Sequence, residues 1–340
     1  MKAEPNLSVC IPVFQTEPFL AQCLRSVITQ DFSFFEIVVV SDASDGKDLQ
    51  NNNARKIVRL MQKECRVYRK KAKLPPVQIN FIEHSENRGV FEVRRTLCYN
   101  AKGEYICYVD SDDELEPGAL TALYEAAIRN GSDITHGAST SGFFDRDGNF
   151  IPSEKNHYNL RYDGTIEHDQ IFNMWLMGKT FTGMLWSKLF SRELLLKVYD
   201  NIPYTECNMA DDFLLMFFIA QYANRYAGIS SKIYRYRIGQ GMSTSRKIKN
   251  LTRWKMVCSA ASVFSIISLW IQDHPTDPHT FTEDEILALR HFSAHYVQSA
   301  LTQLRETVIP ELQDQAYQML CEFWGKSLVD RINAEEKQQK

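Results

Sequence analysis

The chain has 340 residues, 44% of them hydrophobic and 24% charged, which allows a sizeable core and suggests one large domain with an appended piece. Its formal net charge of −3 excludes a global attraction to nucleic acid. The eight cysteines contain no C-x-x-C pair, which argues against a disulfide framework or a zinc site and for reduced thiols in a cytosol.

The opening MKAEPNLSVCIPVF carries an acid and a proline too early for a secretory leader. Leu7–Val13 is a short apolar run ended by Pro12 and a turn, and Thr16 is placed to cap a helix on which Leu20, Cys23, Leu24, Val27 and Ile28 share a face. Residues 35–40 (FEIVVV) read as a fully buried strand, closed by the polar turn 41–46 (SDASDG). A long basic helix is expected over 49–67, then a strand over 77–82. Asn87-Arg88-Gly89 opens a further helix, with Val90, Val93, Leu97 and Ala101 on one face. Residues 104–109 (EYICYV) form a fourth strand, Pro117 starts another helix, and 133–137 is a fifth strand. Strands alternating with helices predict an α/β fold with a mostly parallel sheet.

From about 143 to 246 the pattern is less regular, apart from a very apolar helix at 213–220. Beyond Leu251 only helical periodicity remains, an all-helical appendage ending in a polar stretch, 334–340, expected to fray. The most apolar window there, 257–271, is interrupted by Ser259, Ser262, Ser265 and Ser268. It falls short of the ~18 continuous apolar residues of a membrane span. A cytoplasmic protein is expected, with peripheral contact at the inner face of the membrane left open.

Four constellations carry chemistry. Asp110-Ser111-Asp112-Asp113 stands at the carboxyl end of a buried strand, where open α/β sheets bind ligands. Three carboxylates in four residues repel one another unless neutralised, and a hard cation such as Mg²⁺ or Mn²⁺ suits such oxygen ligands and bridges substrate phosphates. The plainer alternative is an acidic turn capping the next helix. Asp42, in the turn after the second strand, can accept from a base N–H or a ribose hydroxyl, although Asp, Ser and Gly also populate turns for backbone reasons alone. The helix opened by Asn87-Arg88-Gly89 carries Arg94 and Arg95, and a helix N-terminus with arginine favours phosphate; an ordinary helix start is the simpler reading. Asp211-Asp212 heads the apolar helix, where one carboxylate can act as general base or both can merely complement the helix dipole. The basic run from Arg55 to Lys73 reads as a solvated helix face.

Taken in order, these segments resemble the inverting family 2 glycosyltransferases of the GT-A fold. Ser8–Phe14 (SVCIPVF) is similar to that family's S-V-I-I-P-V-Y strand, and 36–46 to its E-I-I-V-V-D-D-G-S turn. Residues 86–105 keep the E-N-x-G-V start and the A-x-G-E-Y ending. Residues 108–117 (YVDSDDELEP) match its F-L-D-S-D-D-x-L-x-P metal motif, and 185–194 (LWSKLFSREL) its W-N-K-L-F-R-R-E-L segment. The resemblance covers about 7–245.

It implies a Rossmann-like sheet flanked by helices in a domain 1–245, with a nucleotide-sugar-binding half (1–115), an acceptor-binding half (116–245) and a C-terminal helical region (246–340). It implies a metal-dependent hexosyltransferase that moves a sugar from a nucleotide diphosphate sugar, of UDP type, to a saccharide or lipid-linked saccharide acceptor. Surface polysaccharide, lipopolysaccharide or lipid-linked glycan synthesis would be the setting. Carried over by position, Pro12 and Phe14 line the nucleobase pocket, Asp42 contacts the base and Arg94 sits near base or diphosphate. Asp110 faces the nucleotide, Asp112 ligates Mn²⁺ or Mg²⁺, and Lys188 approaches the diphosphate or acceptor. Asp212 is the general base with Asp211 beside it. Asp211 stands where the family has Glu, which leaves the choice between the two carboxylates open. Two rivals remain: a non-catalytic nucleotide-binding protein of this fold, and a haloacid-dehalogenase-like phosphatase. The latter expects its D-x-D on the first strand, with Thr or Val where this chain has Glu114.

Overall fold

Strands β1 (Leu7–Val13) and β2 (Phe35–Ser41) are apolar and buried almost throughout, as suits parallel strands covered on both faces. With β3 (Gln78–Glu83) and β4 (Tyr105–Tyr108) they form a parallel set in the order β3-β2-β1-β4. The structure, a computed structural model, describes residues 4–145, 148–154, 159–239 and 247–338. The sheet continues through β5 (Glu114–Leu115), β6 (Ile134–Phe144), β7 (Phe150–Pro152), β8 (Thr165–Glu167), β9 (Lys188–Ser191) and β10 (Arg225–Arg237). Its order is β3-β2-β1-β4-β9-β6-β10-β5, with β7 on β6 and β8 on β10. Strand β9 is antiparallel to both β4 and β6, and β10 is parallel to β6. The long strands therefore run one way, and the sheet is mostly parallel, as the sequence predicts.

Helices α1 (Glu17–Ile28), α2 (Ala54–Lys71), α3 (Val90–Asn100) and α4 (Ala119–Asn130) cover the sheet, with α1, α2 and α4 packed into one core on one face. On the other face α3 joins α5 (Asp169–Leu176), α6 (Arg192–Asp200) and α7 (Asp211–Tyr222) in a second core. The C-terminal region is helical throughout: α8 (Leu251–Cys258), α9 (Ala260–Asp273), α10 (Glu283–Glu306), α11 (Gln313–Trp324) and α12 (Lys326–Gln338). Helix α9 is no detached appendage. Its Ala260, Val263, Phe264 and Ile267 share the second core with α7.

One buried carboxylate sets the strand register. Glu36 accepts from Ser8 Oγ (2.9 Å), Asn80 Nδ2 (3.0 Å) and the Lys102 amide (2.7 Å), and Ser8 Oγ accepts from the Gly103 amide (2.9 Å). These bonds pin the amino ends of the first four strands level, so that their carboxyl ends emerge together.

Local departures from the expected elements have local causes. The second helix starts at Ala54 because Asp48 folds 48–52 into a turn, accepting from the Gln50 and Asn52 amides, and Asn53 then caps α2 through the Lys56 amide. Thr16 does not cap α1; its hydroxyl pairs with Ser111 Oγ at 2.6 Å and ties the first turn to the acidic motif. Arg69, within the basic run, is buried and donates to the carbonyls of Gln30 (3.0 Å) and Phe32 (2.9 Å). The expected fifth strand runs on to Phe144 as β6, and the irregular middle hides one further long strand, β10. The stretch expected to fray is helical to Gln338, with 339–340 outside the described residues, as is the expected domain boundary at 245. Leu251–Asp273 is, by length and composition, long and apolar enough to cross a membrane, at 23 residues and mean hydropathy 1.5, yet half of its most apolar window is buried within the fold.

Candidate active site

The carboxyl ends of β1, β2 and β4 and the start of α7 open into one cavity of about 1050 Å³. Pro12, Phe14, Asp42, Arg94, Asp110, Asp112, Asp211 and Asp212 all line it; Lys188 alone of the expected residues does not. The two carboxylates of α7 are delivered by Ala210, a non-glycine residue in the left-handed region (φ 66°, ψ 17°). That conformation costs about 1–3 kcal/mol where the surroundings enforce it, and such strain gathers at functional sites.

Arg94 organises the acids. Its guanidinium donates to Asp211, to Asp212 at 2.6 Å and to Asp110 at 3.2 Å, and the side chain is 5% exposed. It is thus engaged by three carboxylates from two distant segments. Burial raises the Asp212 carboxyl to about 7: Arg94 opposes the shift, while Asp211 and Asp110 add to it. Burial also raises Asp211, again against Arg94. Asp212 is the more open of the two, at 31% side-chain exposure against 13%. An ionisable carboxylate near neutrality, facing a cavity, has the character of a general base.

Asp42 is occupied from within. It accepts from His84 Nδ1 (2.7 Å) and from the amides of Arg88 (3.0 Å) and Gly89 (2.9 Å). The amides that open α3, which the sequence leaves as an ordinary helix start or a phosphate seat, therefore bind this carboxylate. Gly89 is required there: its φ is +86°, and a Cβ would stand 3.0 Å from the Cys207 carbonyl. Arg95 also serves the fold. It pairs with Glu92 at 2.9 Å and donates to the carbonyls of Ile202 (3.0 Å) and Pro203 (3.1 Å).

The acidic motif divides its labour. Asp113 is buried and accepts from Tyr234 Oη (2.9 Å) and the Arg237 amide (2.7 Å). Arg237 Nε also donates to the Asp112 carbonyl at 2.7 Å. The Asp112 carboxylate, by contrast, receives no hydrogen bond from another side chain among the described residues, and burial beside Asp110 raises it to about 6. Among the described residues no three Asp, Glu, His or Cys side chains are grouped so as to hold a metal ion by themselves. The donor set therefore fits a hard divalent ion that takes one carboxylate from the protein and its remaining oxygens from substrate and water.

Lys188 corrects the sequence reading. It is fully buried beneath the cavity, donating to Thr182 Oγ1 (3.2 Å) and the Met184 carbonyl (2.5 Å), and burial lowers it to about 7. Its place on β9 turns the ammonium under the 182–186 loop, where it supports cavity-lining Gly183, Met184 and Trp186. Sequence reading missed His84, Tyr234 and Arg237. For the last two a signal existed, the period-two alternation of Ile233, Arg235 and Arg237 against Tyr234 and Tyr236.

An α/β sheet with a carboxylate motif at the β4 end and an arginine-bound acid pair lining the same cavity has the layout of a transferase site. The model of "Glycosyl transferase family 2" matches residues 8–195, more than half of the chain. The protein belongs to that family and has a GT-A-like fold. The glycosyltransferase GlyA of Streptococcus pneumoniae is 25% identical over 243 residues, 71% of this chain and 32% of GlyA. Among solved structures, a mannosyltransferase of Pyrobaculum calidifontis with GDP-Man and Mn²⁺ aligns at TM-score 0.51 and 16% identity, covering 89% of this chain and 75% of that one. Staphylococcus aureus TarS 1–349 in complex with UDP aligns at TM-score 0.50 and 18% identity, covering 98% and 92%.

Proposed function

We propose that this glycosyltransferase moves a hexose from a UDP-sugar to an acceptor hydroxyl with inversion, in the assembly of a surface polysaccharide or lipid-linked glycan at the inner face of the cell membrane. The donor occupies the half formed by 1–115, with Pro12 and Phe14 beside the base and Asp110 at the nucleoside, while the buried Asp42 holds the start of α3 next to them. The acceptor enters from the 116–245 side. Asp212 takes the proton of the attacking hydroxyl as its oxygen bonds to the anomeric carbon. The bond from that carbon to the nucleoside diphosphate breaks on the opposite face. Arg94, which Asp211 shares, holds Asp212 in place. A divalent ion, Mn²⁺ or Mg²⁺, held by Asp112 would supply charge stabilisation for the departing diphosphate.

The observation that carries this reading is the juxtaposition of Asp212, raised to about 7, with the strand-end Asp110 through Arg94. The UDP complex of TarS and the GDP-Man and Mn²⁺ complex of the mannosyltransferase support a nucleotide donor and a divalent ion. Calorimetric titration with UDP and GDP, with and without Mn²⁺, tests it on wild type and Asp112→Ala. UDP binding that needs Mn²⁺ and disappears in the variant supports the assignment; binding of neither nucleotide overturns it.

A further inference from the structure

The same cavity has a second wall that donor binding and proton removal leave unused. The C-terminal helices build much of it: Asn250, Thr252, Arg253 and Met256 come from α8 and its cap, and Phe292 and Tyr296 from α10. These helices are bonded to the segment that carries the base. Ser259, at the α8–α9 break, accepts from the Asn208 amide at 3.1 Å, and Phe264 of α9 lies 5.5 Å from Phe213, ring to ring. Phe213 follows Asp212 directly. Its ring meets Trp175 of α5 at 5.2 Å and Phe292 of α10 at 5.0 Å, forming an aromatic platform beside the acid pair.

Two cations complete this wall. Lys179 Nζ lies 5.5 Å from the centre of the Phe292 ring and is otherwise exposed, on a backbone held at φ 45° just beyond α5. Arg253 lines the cavity from α8. Neither has an acidic partner within ion-pair distance among the described residues. Asp110, Asp211 and Asp212 gather instead around Arg94.

Resting on the transferase reading above, the geometry points to an acceptor that carries phosphate close to the hydroxyl that is glycosylated. Its sugar or polyol face, or an apolar chain, lies on Trp175, Phe213 and Phe292, and its phosphate is held by Lys179 and Arg253. Aromatic faces bury apolar surface of the acceptor, and cations single out phosphate over neutral glycans. A polyol phosphate polymer and a lipid-linked sugar diphosphate both present this chemistry.

The test uses tryptophan fluorescence, since Trp175 and Trp186 line the cavity. A glycerol phosphate trimer, farnesyl diphosphate and maltotriose are titrated into wild type and Lys179→Gln/Arg253→Gln, with and without saturating UDP and Mn²⁺. UDP binding is followed separately by calorimetry, so a failed donor site and a failed acceptor site give different signatures. With UDP in place, a phosphate probe should bind at least about tenfold more tightly than maltotriose, and the double variant should lose about tenfold of that affinity, as for charged hydrogen bonds. The tighter of the two phosphate probes identifies the source. Equal binding of maltotriose, undiminished binding by the variant, or no binding of either phosphate probe overturns the proposal. A variant that loses UDP affinity instead overturns it by assigning the cations to the donor.

Discussion

The guanidinium of Arg94 lies 2.6 Å from the carboxylate of Asp212, joining two residues 118 positions apart in the chain. Arg94 leaves α3 and Asp212 enters α7, so this contact closes the two halves of the cavity on each other. Removing one partner of a buried ion pair costs about 3–5 kcal/mol, because the other is left desolvated and unpaired. Arg94→Gln should lower the melting temperature and reduce sugar transfer by about 100-fold, since Asp212 then loses its position and its ionised form. Unchanged kcat/KM in that variant would remove the cation from the mechanism.

The pH dependence follows from the same contact. A general base works ionised, and the Asp212 carboxyl is raised to about 7 by burial, with Arg94 pulling it back down. Transfer should rise with pH through this region and fall about tenfold per pH unit below it, the midpoint belonging to the Asp211–Asp212 pair. Arg94→Gln deletes the lowering influence, so its acid limb should move to higher pH. A profile level from about pH 5.5 to 8 would exclude either acid as the base.

Asp112 and Asp113 are neighbours with opposite expected behaviour. The fold uses only the carbonyl of Asp112, through Arg237, and its side chain is repelled by Asp110. Asp112→Asn should leave stability within about 0.5 kcal/mol of wild type, or slightly above it, while abolishing the UDP binding that needs Mn²⁺. Thermal unfolding and calorimetry on one preparation check both halves.

Asp113 accepts two hydrogen bonds with its two oxygens, from Tyr234 Oη and the Arg237 amide. In Asp113→Asn an amide nitrogen must face one of those donors, which costs about 1–3 kcal/mol. Urea unfolding should show that loss, and Tyr234→Phe should show one at least as large, because both the bond to Asp113 and the bond from the Asp110 amide go with the hydroxyl. Equal stability of Asp113→Asn and wild type would contradict this division of roles.

Much of the half formed by 1–115 was legible in the sequence because its signals are local. Apolar β-branched runs such as FEIVVV specify buried parallel strands, the polar residues after each run mark the carboxyl edge, and the Asp110–Asp113 motif falls on that edge. The helix of Asp211 and Asp212 was equally plain, from eight successive apolar residues behind two acids. Residues whose surroundings come from distant segments were harder to read. Asp42 looked free in its turn, yet His84 and the Gly89 amide fill its acceptor positions. Lys188 looked like a ligand, yet β9 lies between β4 and β6 and buries it.

By itself the sequence determined the strand and helix alternation, the acidic edge and the family, because periodicity and turn chemistry act over a few residues. Only the tertiary structure decided which charges meet. It brought Arg94 to the α7 acids, gave Asp113 rather than Asp112 to the fold, and set the C-terminal helices against the segment that carries Asp211 and Asp212. Those outcomes depend on how a buried charge finds partners in a low-dielectric interior, and the partners come from elements that only packing brings together.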